Sequence, residues 1–161
     1  MGFWGFGVLG FLGNSVTGIG VNNAAFAYEF SGYNAMLHYK GQGDSLGFEI
    51  QGNYSHNKKA PKGRSDSFSV LAGLHWEKCA FLGKLFKNES DASAGFYNSK
   101  MFGHNNREGF SASFEYRDAD KWLGSMTYTK ADLVRSDNIF QDDSTIVSAH
   151  LTYFWNDILY A

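Results

Sequence analysis

The chain is poor in proline, cysteine and charge. Of its 161 residues one is proline and one is cysteine, and 19 % are charged, against about 25 % in an average globular protein. The lone Cys79 excludes an internal disulfide framework and a cysteine-rich metal centre. It falls in an apolar segment and reads as inert packing. A net charge of −2 excludes the global positive field that draws proteins to nucleic acid. No run reaches the ~20 apolar residues of a membrane-crossing helix. With a single proline, Pro61, nothing interrupts a backbone ladder for most of the chain.

Glycine and aromatic residues are abundant instead: 19 glycines, and 17 % Phe, Trp and Tyr. Aromatic side chains suit a pleated face. Glycines scattered through apolar segments argue against long helices, where each costs about 1 kcal/mol. The length is that of one domain, 1–161, and no internal repeat, linker or low-complexity tract divides it.

Period two dominates the pattern. Residues 24–31 alternate Ala25, Ala27, Glu29 and Ser31 against Phe26, Tyr28 and Phe30. Residues 33–40, 45–55, 67–76, 110–117, 121–130 and 145–155 repeat the alternation, and 79–86 is apolar on both faces except at Lys84. Residues 92–99 form a weaker strand. Ser31-Gly32, Gly41 to Asp44, Glu77-Lys78 and Asp118 to Asp120 read as short turns. Longer polar loops are expected at 56–66, 103–109 and 131–144. Segments 79–87 and 132–140 each have room for a helical turn or two. The opening MGFWGFGVLGFLG reads as a glycine-rich first strand or as the core of a signal peptide, without the basic start and cleavage pattern of the latter. The expected fold is all-β: an antiparallel up-and-down meander of eight to ten strands closing into one barrel.

Alternation alone does not say which face meets water. Three features point the apolar face toward lipid. The opposite face is mostly Ser, Thr, Asn, Gln and Gly, where a water-facing sheet carries many Lys and Glu. Its few charges are of both signs, Glu29, Glu49 and Glu115 against Lys40, Lys84 and Arg117, as pairing inside a narrow lumen requires. Tyr54, Trp76, Tyr116, Trp122, Tyr128, Tyr153 and Trp155 sit near apolar-face strand ends, where interfacial girdles lie.

The segments YEFSGYNAMLHYKG, SLGFEIQGNYS, SFSVLAGLHWE, GFSASFEYRDADKWLGSMTYTK and TIVSAHLTYFW together resemble the small eight-stranded bacterial outer-membrane barrels, such as the transmembrane domain of outer membrane protein A. The resemblance is one of pattern. It implies a membrane location and a structural, adhesive or small-pore role carried by loops. Two features depart from it. The chain runs on past Trp155 to Ala161, and a strand at 92–99 puts loops 56–66 and 131–144 on opposite sides.

His38, His75 and His150 fall on the polar strand face. With Glu29, Lys40, Glu49, Glu115 and Arg117 they form a candidate lumenal network, an acid–base cluster or a structural hydrogen-bonded filling. The histidines lack metal-ligand spacing, so no metal or cofactor is expected. Tyr54-Ser55-His56 and Thr145 to His150 hold the side chains of a hydrolase without a nucleophile elbow, and an enzyme is not the favoured reading. Lys58, Lys59, Lys62 and Arg64 make loop 56–66 a candidate contact for lipopolysaccharide phosphates or another anionic surface. The acidic loop 131–144 lacks the spacing of a calcium loop. Expected partners are a lipid bilayer or lipopolysaccharide, not nucleic acid, with room for a homo-oligomer or larger membrane complex. A soluble barrel binding an apolar ligand and a β-rich subunit of a filament or shell satisfy the same alternation.

Overall fold

A computed structural model describes residues 15–17, 25–92, 105–118, 121–136 and 142–153. The described residues are all β and turn. A two-stranded ladder pairs β1 (Val16–Thr17) with β2 (Ala25–Phe26). Then follow β3 (Gly32–Gln42), β4 (Leu46–Asn57), β5 (Asp66–Trp76), β6 (Cys79–Asn88), β7 (Arg107–Asp118), β8 (Trp122–Leu133) and β9 (Ser144–Tyr153). These seven form one antiparallel sheet in chain order. Among the described residues the sheet is open: β3 and β9 each pair on one side only. The meander is therefore as expected from the alternation, and the expected closure is not part of the described ladder.

The strands form where period two is cleanest, because each buries one chemistry on each face. Several boundaries differ from the pattern reading. The alternation at 24–31 does not become a long strand, since the β1–β2 ladder stops at Phe26 and Glu29 lies outside any strand. Residues 79–87 form a strand, not a helical turn. Asp132 and Leu133 belong to β8. The strand expected at 92–99, Trp155 and the first thirteen residues lie outside the described set. Glu77-Lys78 is the two-residue turn expected, with Glu77 at φ 49°, where a residue with a Cβ is strained. At Gly109 the two backbones approach so closely that a Cβ would stand 2.0 Å from the Lys130 carbonyl oxygen.

The three connections 43–45, 77–78 and 119–121 are short and share one end of the sheet. The connections 58–65, 89–106 and 134–143 are longer and share the other. This corrects the expected sidedness. β6 and β7 are antiparallel neighbours, so loops 56–66 and 131–144 lie on the same side.

Burial is inverted. The apolar face is the exposed one: Leu37, Leu74, Phe81, Leu85, Val147 and Leu151 are each more than half exposed. The face carrying Ser69, Ser111 and Thr129 is shielded, each of these being under 9 % exposed. The shielding belongs to the inner strands β4 to β8; on the edge strands β3 and β9 both faces are exposed. The apolar side of the sheet forms a band bordered by Trp76, Tyr116, Trp122 and Tyr153 at the short-turn end and by Tyr33 and Tyr54 at the long-loop end. Tyr128, expected at a border, stands mid-strand opposite Val147.

The band is inclined to the hydrogen-bonded rungs. Toward the loops, the outward face of β4 and β5 stays apolar through Tyr54–Phe68 and turns polar at His56–Asp66. On β6 and β7 it turns polar one rung earlier, at Lys87–Glu108. On β8 and β9 it does so one rung earlier again, at Lys130–Thr145. The border at the turn end slopes the same way, from Leu46–Trp76 down to Trp122–Tyr153.

Candidate functional site

On the shielded face, alternation brings Glu49 of β4 between His38 of β3 and His75 of β5. The Glu49 Oε2 atom is 3.6 Å from His75 Nε2 and 4.0 Å from His38 Nε2. The register explains the order. Glu49 stands opposite Gly73, while His75 is one rung toward the turns and His38 one rung toward the loops. Gly73 makes the arrangement feasible, since a Cβ there would come within 2.9 Å of Glu49 Cγ. The carboxylate therefore lies across β5 toward His75, whose Nε2 is buried with no hydrogen bond. The two contacts become ion pairs when the imidazoles carry a second proton. A hollow of about 630 Å³ lies over the middle of the sheet, lined mainly by Phe48, Ile50, Ala72, Leu74 and Phe81 of the apolar face.

The other expected members divide. Lys40 faces the same side as the register partner of Glu49. Glu115 and His150 share the rung of His75, separated from it by Ala80 and from each other by Ser125. His150 Nε2 lies 3.5 Å from Thr152 Oγ1. Arg117 lies farther toward the turn end, opposite Leu123. Glu29 does not belong to the group. It is exposed at the loop end, its carboxylate 3.9 Å from Lys59 Nζ and its carbonyl accepting from Asn57. Among the described residues, no group of three or more His, Cys, Asp or Glu is placed to hold a metal ion.

The largest fully buried side chains lie at the loop end, and they are polar. Asp91 and Asn105 are fully buried, Asn106 is 1 % exposed, and Asn57 and Ser65 are 2 % exposed. The Asp91 carboxylate accepts from the Ser15 amide at 2.8 Å and the Ser15 hydroxyl at 2.6 Å. Arg64 donates to the same hydroxyl. Asn57 donates to the Asp91 carbonyl at 2.8 Å and accepts from the Ser31 and Lys59 amides. Asn88 donates to Asn105, which donates to the Ser90 carbonyl. Asn106 closes a pair of bonds with the Arg135 backbone, and Arg107 donates to the Ala131 and Asp142 carbonyls. These bonds tie Ser15 and all three long connections into one cap. Lys58 lies over the Tyr33 ring, 5.8 Å from its centroid, and Lys59 faces Glu29, so the basic loop stands on this cap with Lys62 exposed.

The hydrolase candidates come apart on the pleat. Ser55 faces the shielded side and His56 the outer side, as do His150 and Thr145 respectively. His56 Nδ1 is 2.9 Å from Asp66, which also accepts from the Tyr54 and Ser65 hydroxyls. Two hydroxyls beside this pair, those of Tyr54 and Ser65, are both bonded to the Asp66 carboxylate.

Comparison with protein-family models, with curated proteins and with solved structures returns no match. The chemistry above therefore stands on its own residues. The cap was missed from sequence because Asn, Asp and Ser in loops read as solvated. The only local signal was their density at 88–93 and 104–106.

Proposed function

We propose that the chain is an integral β-barrel of a bacterial outer membrane, of about eight strands, with a structural, adhesive or small-pore role carried by its long-loop end. The observation that carries this reading is the inverted burial: Leu37, Leu74, Phe81, Leu85 and Leu151 face outward, while Ser69, Ser111 and Thr129 are shielded. In water such a face is an unsatisfied interface. In lipid it is the ordinary exterior of a barrel.

Three further observations support it. Short turns at one end and long connections at the other are the asymmetry of outer-membrane barrels. The border of the band drops two rungs from the β4–β5 pair to the β8–β9 pair. At about 3.3 Å per residue and 4.8 Å per strand, that slope corresponds to a strand tilt of roughly 35°, the lower end of the 35–45° of closed barrels. Aromatic residues edge the band at both ends.

Glu49, His38 and His75 project from three neighbouring strands into the interior that such a barrel would have. An eight-stranded barrel has room for side chains and little else, so passage of large solutes is not its task. The loop-end cations Lys58, Lys59 and Lys62 suit contact with lipopolysaccharide phosphates. The test is folding without and with detergent. Strand-rich circular dichroism only in detergent or vesicles, with a heat-dependent gel shift, supports the proposal. A soluble monomer in plain buffer overturns it in favour of an apolar-ligand binder, and ordered polymers in plain buffer overturn it in favour of a filament or shell subunit.

A further inference from the structure

The cations above the loop-side border of the apolar band are not alike. Lys59 has Glu29 at 3.9 Å, Lys87 has Glu108 at 3.6 Å and Lys130 has Asp132 at 3.7 Å. Lys58 and Lys62 are exposed and form no ion pair among the described residues. Lys58 lies instead over Tyr33, whose ring is 5.4 Å from that of His56 and 6.1 Å from that of Tyr54. Uncompensated positive charge therefore gathers above β3 and β4, where the aromatic border meets the loops.

We infer that the outer face of β3, β4 and β5 seats one anionic lipid of the loop-side leaflet. Its phosphate meets Lys58 and Lys62, and one acyl chain runs down β4 into the hollow. The inference rests on the membrane reading above and gives the basic loop a defined partner. Lysine ammoniums contact a phosphate as point charges on long stems that reach up from an apolar surface. Below them the face is open along the path. Gly52 stands between Leu37 and Val70 in its rung, and a Cβ there would meet nothing within 4 Å. One rung farther, Ile50 and Ala72 enter the lining of the hollow of about 630 Å³. The depth matches a single leaflet. Ile50 is six residues from His56 along β4. At about 3.3 Å per residue and a tilt of roughly 35°, that is a descent of about 16 Å. One leaflet of hydrocarbon is about 15 Å deep, half of the ~30 Å core. A chain anchored at the cations therefore ends at the hollow.

The test is lipid retention. The full chain is folded into phosphatidylcholine vesicles holding a minor share of phosphatidylglycerol and extracted in mild detergent. Mass spectrometry then counts the lipid that stays bound. The expected result is phosphatidylglycerol enriched over its share of the vesicle. Lys58→Gln and Lys62→Gln each lower that enrichment roughly fivefold, whereas Lys87→Gln and Lys130→Gln leave it unchanged. Ala72→Phe, which fills the hollow, lowers retention with both lysines in place, and the heat-dependent gel shift persists in every variant. No enrichment, enrichment that survives both lysine changes, or equal loss in the Lys87 and Lys130 variants overturns the assignment. Retention indifferent to Ala72→Phe overturns it as well. A chain that shows no gel shift overturns the membrane reading and the lipid seat together, whereas lost enrichment in protein that still shows the shift overturns the seat alone.

Discussion

Moving one arginine along β4 tests the direction of the apolar face. Phe48 is 41 % exposed on that face, with its ring centroid 5.7 Å from that of Tyr39. If the face meets lipid, Phe48→Arg places a cation well inside the hydrocarbon, at a cost of about 2–4 kcal/mol. At about 1.4 kcal/mol per factor of ten, that weakens the folding equilibrium by roughly 30- to 700-fold. Ile50→Arg, one rung along, carries a similar cost. Leu46→Arg and Tyr54→Arg, near the two borders, fall to about 0–1 kcal/mol. Gln51→Arg, on the shielded face beside Glu49, stays within about 1 kcal/mol. Urea titrations in vesicles, followed by the fluorescence of the four tryptophans, read all five variants. The lipid reading requires a profile that peaks mid-strand. If the face met water, the same outward series would be flat, since exposed substitutions shift stability by about ±0.5 kcal/mol. A flat profile refutes the reasoning.

Two further outcomes follow from the packing. Asp91→Ala leaves the Ser15 amide and hydroxyl without their acceptor in a buried site, and costs about 2–4 kcal/mol; Asp91→Asn, which keeps one acceptor oxygen, costs less. Chemical denaturation in detergent measures both, and hydrogen exchange at the Ser15 amide accelerates in the alanine variant. Gly109→Ala drives a Cβ against the Lys130 carbonyl and costs about 1–3 kcal/mol or more, whereas Gly83→Ala, with nothing within 4 Å, is neutral to about 0.5 kcal/mol; equal thermal midpoints for the two would contradict the register of β7 on β8.

What could be read in advance follows the range of the forces involved. The pleat is local, so the alternation at 45–55 already places Leu46 and Phe48 opposite Glu49 and Gln51, and Glu77-Lys78 is visible as a turn. Strand existence is less local. Residues 24–31 keep the alternation, yet the ladder ends at Phe26, and Glu29 is drawn out to Lys59. Sidedness depends on long-range pairing: β6 and β7 are antiparallel neighbours across the connection 89–106, and counting strands along the chain does not reveal that. The cap is the least local of all. Ser15 and Asp91 are 76 residues apart, and nothing near either of them announces the other. The grouping of Glu49 with both histidines depends on Gly73, a residue whose contribution is the side chain it lacks.

The inverted burial has a thermal consequence. The large heat-capacity change of ordinary unfolding comes from apolar surface newly wetted, at about 12–15 cal/mol/K per residue. Here the described residues hold little buried hydrocarbon, chiefly Phe86 with Ala80, Ala92 and Ala131, and the groups to be uncovered are amides, carboxylates and backbone. Exposing polar groups lowers heat capacity. Unfolding that leaves the chain in the bilayer therefore carries a small heat-capacity change, whereas release into water, which wets Leu37, Leu74, Phe81, Leu85 and Leu151, carries one of the ordinary size.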